Sequence, residues 1–160
     1  MSGRGNAPRS LLVDTDLLFY YLRGGTLERQ AADVIREAGA GRLALRSSSE
    51  VYDDAILALR SDEYPLDGIR EFLSDMRSIP HSPVPMNAQV AADAISLYMD
   101  FGGRRRLSYF DSFHVATARS LDLPLLTSDG YIVKNSAKLG VVALDLAKWK
   151  PSSGGGDTAR

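Results

Sequence analysis

Apolar positions along this chain follow two alternating rhythms. Short unbroken runs recur at residues 11–13, 43–45, in LPLLTS and in GVVALDL, which suits strands buried on both faces of a parallel sheet. Between them the spacing changes to that of an amphipathic helix. Ala31, Val34, Ile35 and Ala38 mark one over residues 27–38, and Val51, Ala55 and Leu59 mark another over 47–59. Val90, Ala94, Leu97 and Phe101 mark a third over 87–101. Further helices are expected over 17–22, 66–76 and 108–121. Gly24 and Gly25 close the first of all these, and Gly39 and Gly41 close the second. The segment SIPHSPVP is extended or looped because of its three prolines, with its first residues able to form a short strand. SDG turns the chain between the last two strands. This alternation predicts an α/β fold with a mostly parallel sheet covered on both faces.

The polar positions add a sharper signal. Asp14, Glu50, Asp111 and Asp129 all fall where a strand hands over to a helix or turn, or at the start of a helix facing that edge. In an open α/β sheet the ligand crevice lies at the carboxyl ends of the strands. Carboxylates gathered there repel one another unless a cation holds them, and oxygen ligands favour Mg²⁺ or Mn²⁺. Each acid also has an ordinary structural use. Ser47 with Glu50, and Ser108 with Asp111, have capping-box spacing. Asp14 or Asp16 suits an N-cap, and Asp129 suits a turn. A capping acid has no reason to prefer one edge of the sheet, however, and these four share one. Asp122 lies at the opposite edge and reads as a solvated loop charge.

Neighbouring residues leave alternatives open. Asp16 either joins the site, orients a metal-bound water or caps the first helix. Thr127 and Ser128 either support the site through a hydroxyl or are an ordinary strand end. Asp53, Asp54 and Asp93 fit exposed helix faces better than the crevice. His114 shares a helix face with Asp111, three residues away, which permits a general base but suits packing among Phe110, Phe113 and Val115 better. His81 has no evident partner. Arg104, Arg105 and Arg106 form a loop that is either a solvated charge run or a contact for an RNA backbone. Tyr20, Tyr21 and Trp149 suit core or interface positions.

Composition narrows the classes. A chain of 160 residues supports one domain with a real core. Residues 11–148 are expected to form it, between a loose leader at 1–10 and a flexible tail at 149–160. With 44% hydrophobic and 24% charged residues the chain reads as globular. No apolar run is long enough to span a bilayer, no signal-peptide pattern is present, and a cytoplasmic location is the expectation. The absence of cysteine excludes disulfides, thiolate metal sites and cysteine nucleophiles. The net charge of −1 does not advertise nucleic-acid binding, but cations held by four carboxylates would leave the remaining surface more basic.

The order LLVDTDLLFYYL, SSSEVYDD and YFDSFHVATARSLDLPLLTSDG resembles the PIN-domain nucleases, particularly the VapC-type toxins of prokaryotic toxin–antitoxin pairs. The most specific part is the helix of Asp111 with its Ala-Thr-Ala, followed by the LLTSD strand end. The resemblance implies a three-layer α/β/α sandwich with a parallel sheet of about five strands. It implies an Mg²⁺- or Mn²⁺-dependent endoribonuclease with Asp14, Glu50, Asp111 and Asp129 as catalytic, metal-holding residues. A homodimer and a separate antitoxin protein are implied partners. Two rivals stand beside it. A haloacid-dehalogenase-type phosphatase would use Asp14 as nucleophile and Asp16 as acid–base, but Lys134 and Lys138 follow the last candidate acid, in the wrong order. A non-catalytic RNA-binding subunit would be expected to have lost an acid, and all four are here.

Overall fold

The structure is a computed structural model that describes residues 9–152. Five strands form one parallel sheet: β1 Arg9–Val13, β2 Leu43–Ser48, β3 Ser82–Val84, β4 Leu125–Thr127 and β5 Ala143–Asp145. Their order is β3-β2-β1-β4-β5. Two helices, α1 (Thr15–Arg23) and α2 (Glu28–Gly39), connect β1 to β2, and α3 (Glu50–Ser61) and α4 (Leu66–Ser78) connect β2 to β3. The chain then crosses beyond β1 through α5 (Ala88–Phe101) and α6 (Tyr109–Leu121) to reach β4, and α7 (Gly130–Leu139) leads to β5. The direction of winding therefore reverses between β1 and β4, and that is where an open sheet leaves its crevice.

Alternation along β1 separates the two faces. Leu11 and Val13 pack with α1, α2, α3 and α4, while Leu12 packs with α5, α6 and α7. The result is the expected three-layer α/β/α sandwich. Trp149 packs on the first of these cores. Arg9 and Ser10 already belong to β1, and the rest of the expected leader and tail, residues 1–8 and 153–160, lies outside the described residues.

Three local expectations are corrected. β2 runs on to Ser48, because Arg46, Ser47 and Ser48 pair with Ser82, Pro83 and Val84 of β3. Sheet pairing outweighs the local capping preference of serine, so α3 starts only at Glu50. The proline-rich segment forms its strand at its later residues. Pro83 is tolerated there because β3 is an edge strand. Residues 130–139, beyond the SDG turn, form a helix that the apolar pattern does not announce. Only Ile132 and Leu139 are buried in it, and Asn135 breaks its dihedrals (φ −109°, ψ 16°). Asp129 starts this helix and Gly140, at φ 68°, ends it. Among the described residues no helix is long and apolar enough to cross a membrane.

Candidate active site

The site grows from the ends of β1 and β4, the two strands that flank the reversal. Asp14 directly follows β1, is 2% exposed, and caps α1 by accepting from the Leu17 N–H at 3.3 Å. Its other carboxylate oxygen accepts the Thr127 hydroxyl at 2.6 Å. The same hydroxyl accepts the Asp129 N–H at 3.0 Å, so the end of β4 ties both acids to one threonine. Asp129 caps α7 with a single oxygen, Oδ1, which accepts from the Tyr131 and Ile132 N–H groups at 2.7 and 3.2 Å. Asp16, one residue into α1, accepts the Ser128 hydroxyl at 3.1 Å. Capping and clustering therefore coexist in the same side chains.

Asp111 reaches the site from the first turn of α6, whose N-cap Ser108 accepts the Asp111 N–H at 3.2 Å. Burial pushes the Asp14 carboxyl up to about 7, with Asp16 and Asp111 adding repulsion against the lowering effect of Thr127 and His114. Burial likewise pushes Asp111 up to about 6, with repulsion from Asp129 and Asp16 against attraction by His114. Asp16 is also raised, by burial first, with Asp54 and Asp129 adding repulsion. These mutual influences bring Asp14, Asp16, Asp111 and Asp129 into one electrostatic cluster.

Glu50 stands at its margin. Its pKa is raised mainly by burial, and its charged neighbours are Asp53 and His114 rather than the three sequence-predicted aspartates. It is not part of a capping box. Ser47 is buried in β2 with its hydroxyl unpartnered, and the Glu50 N–H is instead satisfied by the Ser48 hydroxyl at 3.1 Å.

The sequence reading underrated His114 and Asp54 and did not single out Thr15. His114 is fully buried on α6, with Nε2 3.2 Å from the Thr15 hydroxyl and 3.7 Å from the Asp54 carboxylate. Burial favours its neutral form, but the surrounding carboxylates outweigh this and raise its pKa. Packing and polar contact are both present, and no residue spacing announced the second. Arg104, Arg105 and Arg106 lie exposed between α5 and α6 and make no ion pair among the described residues. Asp93 pairs with Arg119 at 3.6 Å, and the Tyr52 hydroxyl lies 3.0 Å from His81.

Among the described residues no three acidic or imidazole side chains already converge on one point at ligating distance. The donor set nonetheless fits a hard divalent cation. It is all oxygen, partly buried, and raised in pKa first by burial and then by the repulsion of neighbouring acids that no Lys or Arg pairs with among the described residues. The phosphatase alternative loses support, because Lys134 and Lys138 point from α7 into solvent.

The family model for the PIN domain matches residues 11–138. Among solved structures, the chain is similar to VapBC2 from Rickettsia felis bound to a promoter DNA fragment, with 12% identity and a TM-score of 0.63. That match covers 85% of this chain and 98% of the other. It is also similar to VapBC-1 from nontypeable Haemophilus influenzae, with 16% identity, a TM-score of 0.57, and coverage of 87% and 99%. A third, VapBC-5 of the VapBC family of toxin–antitoxin systems from Mycobacterium tuberculosis, shows 17% identity, a TM-score of 0.55, and coverage of 86% and 99%. Identities this low show a shared fold. Among curated proteins nothing matches.

Proposed function

The chain belongs to the PIN-domain family, and from that premise we propose that it is a metal-dependent endoribonuclease, the toxin of a toxin–antitoxin pair. One observation carries the reading. Asp14, Asp16, Asp111 and Asp129 gather at the strand reversal, with Asp14 pushed up to about 7 and Asp111 to about 6 by burial and mutual repulsion. Several buried acids share a single imidazole, with no Lys or Arg paired to them among the described residues, and a bound cation offsets the remaining cost.

Asp14, Asp111 and Asp129 are the proposed ligands of Mg²⁺ or Mn²⁺, with Glu50 beside them to hold an ion or orient water. The bound cation would lower the pKa of a water and offset charge on the phosphate being attacked. The chain's own residues set the geometry for this. Thr127 fixes the Asp14 carboxylate, and Ser128 fixes Asp16. Asp129 spends Oδ1 on the start of α7, which leaves Oδ2 as the oxygen to offer an ion. His114 holds Thr15, the residue next to Asp14, and draws Asp54 toward the cluster. A separate antitoxin that blocks this edge, a homodimer and a cytoplasmic setting belong to the same proposal. The toxin–antitoxin systems among the structural neighbours support the antitoxin.

The test is cleavage of labelled structured RNAs by purified protein with Mn²⁺ or Mg²⁺ against EDTA, beside Asp14→Asn. Metal-dependent cutting is expected, with Asp14→Asn slower by on the order of 10³-fold. Equal cutting by the variant would show that the site is elsewhere.

A further inference from the structure

The corner where α5 meets α6 carries aromatic surface and positive charge that the acidic cluster does not use. Tyr98 is 38% exposed and Tyr109 is 46% exposed. Their rings pack edge-on, with centroids 5.8 Å apart and planes at 86°. Tyr109 is braced further by Phe110 at 5.3 Å and by buried Phe113 at 5.0 Å. Its ring is therefore held in place while nearly half of its surface stays in water.

The loop beside these rings is equally well held. The Gly102 N–H donates to the Tyr98 carbonyl at 2.8 Å, and Leu107 donates to Phe101 at 3.2 Å while its side chain is fully buried. A Cβ at Gly102 would collide with the Tyr98 carbonyl and ring, so glycine allows the loop to lie directly on that tyrosine. Between these anchors stand Arg104, Arg105 and Arg106. Arg106 gives one N–H to the Asp100 carbonyl at 3.3 Å, and all three guanidinium charges remain unneutralised by any ion pair among the described residues.

Rigid exposed rings beside free cations match the two needs of a single-stranded nucleic acid, which are faces for unpaired bases and charges for phosphates. A duplex keeps its bases stacked inside and would leave the rings idle. Tyr109 and Asp111 share the first turn of α6 on different faces, Tyr109 toward α5 and Asp111 toward the acidic cluster, so a strand crossing this helix start passes from one to the other. We propose that Tyr109, with Tyr98 and the Arg104, Arg105 and Arg106 loop, forms a platform for unpaired RNA that leads the strand to the acidic cluster. Tyr109 stacks on an unpaired base flanking the cleaved segment, and the arginines grip the backbone beside it. This deepens the ribonuclease reading and rests on it.

The experiment measures binding of a short labelled oligouridylate, and of an RNA duplex of equal length, to Asp14→Asn protein, which does not consume the probe. The single strand is expected to bind more tightly than the duplex. Adding Tyr109→Ala should weaken single-strand binding by about 5–100-fold, whereas Tyr109→Phe should stay within about twofold. Replacing Arg104, Arg105 and Arg106 together by alanine should reduce the slope of log affinity against log salt by about 2. Unchanged melting temperatures establish that these surface variants fold. Equal binding of duplex and single strand, or an effect of Tyr109→Ala below about twofold, would overturn the platform. So would a Tyr109→Ala variant that keeps RNA affinity but turns a dimer into a monomer, which would assign the corner, with exposed Ile95 and Met99, to a second copy of the chain. Cleavage in the otherwise wild-type protein separates the two levels. If it cuts RNA and the corner variants cut unpaired RNA with unchanged KM, the platform fails alone. If RNA binds at Tyr109 but is never cut, the ribonuclease reading fails and a binding surface remains.

Discussion

Two buried carboxylates at opposite edges of the sheet show opposite behaviour. Asp14, at the carboxyl edge, is 2% exposed and Glu37, near the amino end of β2, is 3% exposed. Arg42 donates to Glu37 at 2.9 Å, and that hydrogen bond holds the Glu37 carboxyl below its ordinary range. Asp14 has no such partner, and deep burial with like charges on both sides pushes it up to about 7. Burial raises Glu37 as well, but the Arg42 hydrogen bond lowers it more. Burial of an acid is therefore not in itself a functional mark. What distinguishes the carboxyl edge is several acids held together by Thr127, Ser128 and helix starts around one histidine, with no Lys or Arg paired to them among the described residues.

The largest effect on this contrast should come from Asp14→Asn in the metal-free protein. The folded Asp14 binds its proton more tightly than the unfolded chain does, since its pKa stands at about 7 against 3.8. Stability should then fall as pH rises across that window, with the full penalty above it and none below. Asparagine removes the charge and keeps the cap, so melting curves at about pH 8 should show a gain of about 1–3 kcal/mol that vanishes near pH 4. A variant no more stable than wild type at high pH would mean that ionising buried Asp14 carries no cost.

Arg42→Ala breaks the paired edge and should act with the opposite sign. Glu37 has a lowered pKa, so its contribution is present above its ordinary value of 4.5 and is lost as acid protonates it. The variant should melt lower than wild type at neutral pH, by less than Asp14→Asn gains, because Arg42 is solvent-exposed and its attraction is screened. The difference should close at low pH. A smaller effect distinguishes capping from clustering at Asp129. Asp129→Ala removes the α7 cap and should cost about 1 kcal/mol, whereas Asp129→Asn retains the cap and should cost much less. Both should impair cleavage, so a matched loss of activity with unmatched stability would separate the two roles.

The elements with one strong rhythm were legible from sequence. The run ending at Asp14 gave β1, and the stripe of Val90, Ala94, Leu97 and Phe101 gave α5, because each is governed by burial on one face. What was hidden depends on partners distant along the chain. β2 extends through Ser48 only because β3 pairs with it, and α7 buries only two side chains yet is held by its caps. The acids were legible as a group because their common edge follows from chain order. The contact of His114 with Thr15 spans 99 residues, and no local pattern encodes it.

The most direct test of the account is Mn²⁺ binding by calorimetry at about pH 8, where the site acids are ionised, comparing wild type, Asp14→Asn and Glu37→Gln. The account predicts the same affinity for wild type and Glu37→Gln, and a loss of at least about 100-fold for Asp14→Asn. Equally tight binding by Asp14→Asn would contradict the claim that the carboxyl-edge cluster is where the protein holds its metal.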